Sequence, residues 1–161
     1  MTPKLIDDIL KSDWLWHLSR LTVTFMFWYA GIGFALDFQG AQQAMASTGI
    51  QPLWVVAGLT ILVEIGGSLL IILDRLVWLG AGALGVFTAL TILLVHHFWT
   101  MSGTAAIQAR LESEEHLTVI GGLVAISILS AVRREWKQRA EDRVDAAAAF
   151  SATKLRVREA T

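Results

Sequence analysis

One carboxylate, Glu64, stands inside an otherwise apolar stretch from Pro52 to Leu73. A charge held there away from water is costly, so the group is expected to be neutral or paired. A neutral carboxyl donates one hydrogen bond and accepts others, which suits it to a quinone-like carbonyl or to handling a proton. The same properties let it tie one helix to another with no chemistry at all. Tyr29 falls at a similar depth and is a candidate second donor. Arg20 has two readings: a clamp for an anionic head group or a longer-range partner for Glu64, or a side chain reaching back to lipid head groups.

His96 and His97, followed by Phe98-Trp99-Thr100-Met101, form a second candidate group with His116, which stands beside Glu112, Glu114 and Glu115. Imidazole relays protons near neutral pH and ligates metals. Adjacent helical residues point about 100° apart, so His96 and His97 should not face one partner equally. No His-x-x-x-His or Glu-x-x-His spacing occurs, so no metal site is assigned and haem is disfavoured. A proton or quinone role and ordinary interfacial hydrogen bonding both stay open, and His17 reads as a plain interfacial residue. The chain has no cysteine, which excludes thiolate ligands and a cysteine nucleophile. No catalytic residue is assigned.

The elements carrying these residues read as membrane helices. Of 161 residues, 55% are hydrophobic and only 17% charged, and four stretches approach the roughly 20 residues needed to span a bilayer. They are 18–36, 52–73, 76–99 and 115–132. A soluble bundle would show a polar face every three or four residues, and these stretches do not. Twelve of the 13 Lys and Arg fall on one side of the resulting topology and Arg110 alone on the other. The excess of positive charge places both termini in the cytoplasm. Six of seven Trp fall near span ends, where indole prefers to sit, and only Trp28 lies mid-span. A net charge of −1 gives no pull toward nucleic acid. Ala44-Met45-Ala46 has the form of a signal cleavage site. The apolar run before it is too long for a signal peptide, and Asp7, Asp8 and Asp13 precede it, so it is read as uncleaved.

The expected fold is an all-α membrane protein, a four-transmembrane-helix bundle with both ends inside. Residues 1–17 form a cytoplasmic, interfacial amphipathic segment, with Leu5, Ile6, Ile9 and Leu10 opposite Asp7, Asp8 and Lys11. Residues 18–132 form the transmembrane domain, and 133–161 a charged, basic cytoplasmic tail with i,i+4 pairs such as Glu135–Arg139. Ser12 is a candidate helix cap, and residues 42–46 a candidate short outer helix. Asp74-Arg75 should make a tight hairpin between antiparallel helices. Ten glycines fall inside the spans and are expected to let helices approach closely. Gly80-Ala81-Gly82-Ala83-Leu84-Gly85 formally matches a nucleotide-binding fingerprint, but it lies within one apolar helix and reads as packing.

The chain resembles the DoxX family of small four-helix bacterial inner-membrane proteins over about residues 18–130. The matching features are Ser19-Arg20-Leu21, Gly31, Met45-Ala46-Ser47-Thr48-Gly49 before Pro52, Val63-Glu64, the segment from His96 to Met101, and Gly121-Gly122. A Gly-x-x-Lys segment common in that family is missing: Gly31 to Phe38 contains no Lys, and Asp37 is the nearest charge. Members are named after subunits of quinone-linked terminal oxidase and thiosulfate oxidation systems, and others are linked to oxidative-stress complexes. The resemblance implies a redox-associated membrane subunit, in contact with quinone and with protein partners in a larger complex, more than a self-sufficient enzyme. The alternative is a non-catalytic structural or assembly subunit.

Overall fold

The computed structural model describes residues 3–159, with side chains described as far as Ala149. Two compact units divide the chain, Met1–Ser127 and Ile128–Thr161. The described residues form seven α-helices and no strand: α1 (Lys4–Leu10), α2 (Asp13–Val23), α3 (Phe25–Leu36), α4 (Phe38–Met45), α5 (Leu53–Ile72), α6 (Val77–Leu94) and α7 (Gly103–Glu159). Three largely helical stretches are long and apolar enough to cross a membrane: Leu53–Ile72, Val77–Thr100 and a window within Gly103–Ala149.

The stretch expected as a first span, 18–36, is two helices rather than one. Thr24 interrupts it. Its Oγ1 donates to the Arg20 carbonyl at 2.8 Å, and Phe27 N then bonds back to the Thr24 carbonyl in a tighter i,i+3 pattern. A threonine hydroxyl competing for the i−4 carbonyl bends a helix in this way. The amphipathic segment is also divided. Ser12 Oγ accepts from Leu15 N at 3.3 Å and starts α2, leaving α1 as a separate short helix with Leu5, Ile6, Ile9 and Leu10 all exposed.

α5 and α6 pack as an antiparallel hairpin. Asp74 and Leu76 take left-handed backbone conformations (φ 56° and 50°), and Arg75 N bonds to the Leu70 carbonyl at 2.9 Å. Close approach is built on two glycines: a Cβ on Gly80 would lie 2.6 Å from the Gly67 carbonyl oxygen, and one on Gly67 would lie 2.7 Å from Leu84 Cγ. Fewer glycines do this than expected. Gly33, Gly58, Gly66, Gly82, Gly85 and Gly121 meet nothing within 4 Å of an added Cβ. The apolar centre combines Phe27 with Ile71, Val77, Leu84, Leu123 and Ile126.

α6 ends before its histidines. Val95 N and His96 N both bond to the Thr91 carbonyl, at 2.9 and 3.1 Å, and a 3₁₀ turn over Phe98–Thr100 follows. His96 and His97 are thus loop residues, and the 100° helical offset expected between them does not apply. α7 starts at Gly103 (φ +64°), well before the expected Glu115.

In the second unit, Glu135 and Arg139 form the expected i,i+4 pair at 3.2 Å, and Trp136 and Val144 are exposed. The side chains of Lys154, Arg156 and Arg158, and residues 160–161 of the expected tail, lie outside the described part.

Candidate functional site

Glu64 is 5% exposed, and its Oε2 has no hydrogen-bond partner among the described residues. The carboxyl lines a cavity of about 460 Å³. α3 supplies Ala30 and Phe34 to the wall, α5 supplies Val56, Thr60 and Val63, and α6 supplies Phe87 and Thr91. Met45, Ser47 and Thr48, from the end of α4 and the turn after it, also line it. Thr60 stands one helical turn before Glu64 on the same face, and its Oγ1 donates to Met45 Sδ at 3.4 Å. Exposed Leu59, Leu90 and Leu94 form the rim. The lining is apolar apart from a few hydroxyls and one carboxyl, the usual make-up of a small-molecule site.

Gly31 makes room for the carboxyl. A Cβ there would come within 2.8 Å of Ile65 Cγ1, 3.1 Å of Glu64 Cβ and 3.4 Å of Glu64 Oε2. Tyr29 is not brought to Glu64. It is 65% exposed and stacks on Phe25 at 5.5 Å between ring centroids. Two residues on a helix are about 200° apart, so with Gly31 against Glu64, Tyr29 occupies the far side of α3.

Arg20 neither reaches for lipid head groups nor pairs with Glu64. It is 1% exposed. Its Nη1 donates to the Ile71 carbonyl at 3.2 Å and lies 3.6 Å from Asp74 Oδ2. Its Nη2 meets His17 Nδ1 at 2.6 Å, and its guanidinium stands 5.2 Å from the centroid of the Trp16 ring. Trp16 Nε1 donates to the same Asp74 oxygen at 3.4 Å. Ile71 is seven residues beyond Glu64, about 10 Å along α5. His17 is accordingly part of this cluster rather than a plain interfacial residue.

His96 and His116 do come together, with rings 5.0 Å apart. His96 Nδ1 lies 2.7 Å from Glu112 Oε2, and His116 Nδ1 lies 2.7 Å from the Glu112 carbonyl. Ser113 Oγ donates to the His96 carbonyl at 3.1 Å. His97 turns aside toward Trp99, at 6.4 Å between ring centroids, and its buried Nδ1 has no hydrogen-bond partner among the described residues. No three His, Asp or Glu side chains among the described residues are arranged to hold a metal ion. The cluster fastens the start of α7 to the chain leaving α6, next to the cavity-lining pair Leu94 and Val95.

Thr60, Thr91, Met45 and Gly31 were not singled out as neighbours of Glu64 from sequence. Only Thr60 carried a usable signal, the i−4 spacing on one helix.

Three helices long and apolar enough to cross a bilayer define the class as an integral, multi-pass membrane protein. The chain matches the DoxX family over residues 15–97, half of its length, and belongs to that family. The matched region contains the whole cavity and Arg20, and ends at His97, before Glu112 and His116. The chain is also similar to inner membrane protein YphA of Escherichia coli (strain K12), 24% identical over 111 residues, covering 69% of this chain and 79% of that protein. No solved structure matches it.

Proposed function

We propose that this chain is a redox-associated subunit of a larger oxidoreductase system in the bacterial inner membrane, and that its cavity takes the head group of a quinone. The observation that carries the reading is the Glu64 carboxyl, buried and with Oε2 unpartnered at the cavity. A protonated carboxyl there donates to a quinone carbonyl oxygen, and an ionised one accepts a proton from a quinol hydroxyl. Thr60 is the neighbouring hydroxyl. The exposed leucine rim gives an apolar tail a way out toward lipid.

In this reading the membrane domain, 18–132, spans four times. α2 and α3 act together as the first span, since Asp13 to Leu36 is 24 residues, about 36 Å of helix. The charge asymmetry puts both ends in the cytoplasm and α4 outside. The exposed apolar residues of α1 suit residues 1–17 to the membrane interface. Residues 133–161 form the cytoplasmic tail that meets lipid or a protein partner.

The test is mild solubilisation of the full chain followed by solvent extraction and quinone detection. Quinone is expected with wild type and Glu64→Gln, and lost with Glu64→Ala. Absence of quinone from all three sinks the reading. Reporter fusions at Ala46 and at the C-terminus should report opposite sides.

A structural or assembly role has one observation of its own. The six glycines with open space around them leave low surfaces on which a partner helix could pack closely. A stable protein partner recovered without quinone would favour it.

A further inference from the structure

Glu64 separates two different environments along α5. Toward α4 lies the cavity, in which Glu64 is the one titratable residue of the lining. The hydroxyls of Thr60, Thr91, Ser47 and Thr48 also line it. Water occupies about 30 Å³ per molecule in the liquid, so a void of about 460 Å³ has room for several; each hydroxyl donates within the chain and keeps lone pairs that can accept from water, beside the Glu64 carboxyl. Toward the hairpin the interior is closed. Ser68, Ile71, Val77 and Leu84 are all 0% exposed. Ser68 Oγ, one turn beyond Glu64, is fully buried and has no hydrogen-bond partner among the described residues. Beyond it stands the buried Arg20 guanidinium, held on the Ile71 carbonyl. A fixed guanidinium behind a fully buried apolar layer raises the barrier to a proton arriving from that side, even with Asp74 paired to it.

The groups around Glu64 add no competing titration. α3 presents Gly31, Ala30 and Phe34, α4 presents Met45, and α6 presents Phe87, Leu90 and Thr91. On the hairpin side Arg20 binds Asp74 and His17, and Arg75 in the turn and Asp13 at the start of α2 are the further charged groups at that end.

We propose that Glu64 exchanges its proton through the cavity with the compartment on the α4 side, and that Arg20 closes the hairpin side to it. The inference rests on the reading of the cavity as a working site but not on quinone as its occupant. The exchange is a simple transfer: the carboxyl O–H gives its proton to cavity water and recovers one from the same side.

Dicyclohexylcarbodiimide tests this, because it crosses membranes and modifies only the protonated carboxyl. The full chain, in right-side-out and inverted membrane vesicles, is treated while the pH of each compartment is set independently, and modification of Glu64 is read by mass spectrometry. Glu64→Gln gives the blank. Labelling is expected to fall by up to about tenfold per pH unit as the α4-side pH rises past the carboxyl's midpoint, and to ignore the hairpin-side pH. Dependence on the hairpin-side pH, on both, or on neither overturns the proposal. In Arg20→Gln a dependence on the hairpin-side pH should appear; a folded variant without it removes Arg20 from the account, and if the variant does not fold, the wild-type measurement still decides. Protection by added decylubiquinone is scored separately, so failure of the quinone reading leaves the sidedness result standing. The reporter at Ala46 fixes independently which compartment the α4 side faces.

Discussion

Gly31 of α3 lies directly against Glu64 of α5, so close that a methyl group at position 31 would stand 3.1 Å from Glu64 Cβ and 2.8 Å from Ile65 Cγ1. Two residues along, Gly33 meets nothing within 4 Å. Gly31→Ala should push α3 from α5 and cost about 1–3 kcal/mol, the usual range for overpacking a tight contact. Gly33→Ala should be neutral or slightly stabilising. Thermal unfolding in detergent, both variants side by side, decides; equal midpoints would mean the contact is slack.

Stability and ligand content should separate at Glu64. A buried carboxyl with an unpartnered oxygen costs stability. Glu64→Leu removes that cost and fills similar space, so its melting temperature should equal or exceed wild type while bound quinone is lost. If Glu64 instead served to hold helices together, removing its hydrogen bonds would lower stability by about 1–3 kcal/mol. A destabilised leucine variant therefore argues for the structural role.

Local chemistry was legible in the sequence where a single residue type dictates the geometry. Ser12 caps α2 because its hydroxyl can reach Leu15 N. Asp74 tolerates a left-handed turn, so the α5–α6 hairpin could be read from Asp74-Arg75. Glu64 stood out because nothing else in its helix is charged. Rotation of the helices was not legible. α3 is largely apolar, so no polar stripe shows which side faces inward; depth alone made Tyr29 a candidate second donor, whereas its ring is exposed and stacks on Phe25. Depth also misled at Arg20, whose partners are a backbone carbonyl and a turn aspartate far along the chain. The Thr24 bend was hidden because a threonine in an apolar run ordinarily continues a helix.

Arg20 and Asp74 should prove unequal. The arginine side chain is 2% exposed and serves Ile71, Asp74, His17 and Trp16 together, whereas the Asp74 side chain is 34% exposed. Arg20→Ala leaves the buried Ile71 carbonyl without this donor, while the partly exposed Asp74 turns to water, and should cost about 1–3 kcal/mol. Arg20→Lys should recover only part of that, because an ammonium lacks the planar fork that reaches several acceptors. Asp74→Asn should be mild, since Asn keeps an acceptor and tolerates φ 56°. Asp74→Ala should be worse than Asp74→Asn, because alanine loses the acceptor and is strained in that conformation. Comparable losses for Asn and Ala would show that backbone conformation has no part in the effect.

The His96–Glu112 contact at 2.7 Å joins the chain leaving α6 to the start of α7, where both side chains remain partly exposed at 16% and 35%. Partial exposure limits such a pair to a coupling of about 0.2–1 kcal/mol, and a double-mutant cycle is the way to isolate it. His96→Ala, Glu112→Ala and the double variant should therefore be sub-additive by that amount. Ser113→Ala should weaken the same junction separately, because Ser113 Oγ donates to the His96 carbonyl rather than to its ring. His97→Ala provides the contrast: its ring lies near Trp99 while Glu112 is engaged by His96, so its effect should add to that of Glu112→Ala without coupling. Val95 lines the cavity immediately before His96, so loosening the junction should also raise the off-rate of any ligand held at Glu64. Coupling between His97 and Glu112 equal to that of His96 would show that the two histidines share the role, and that only their order along the chain distinguishes them.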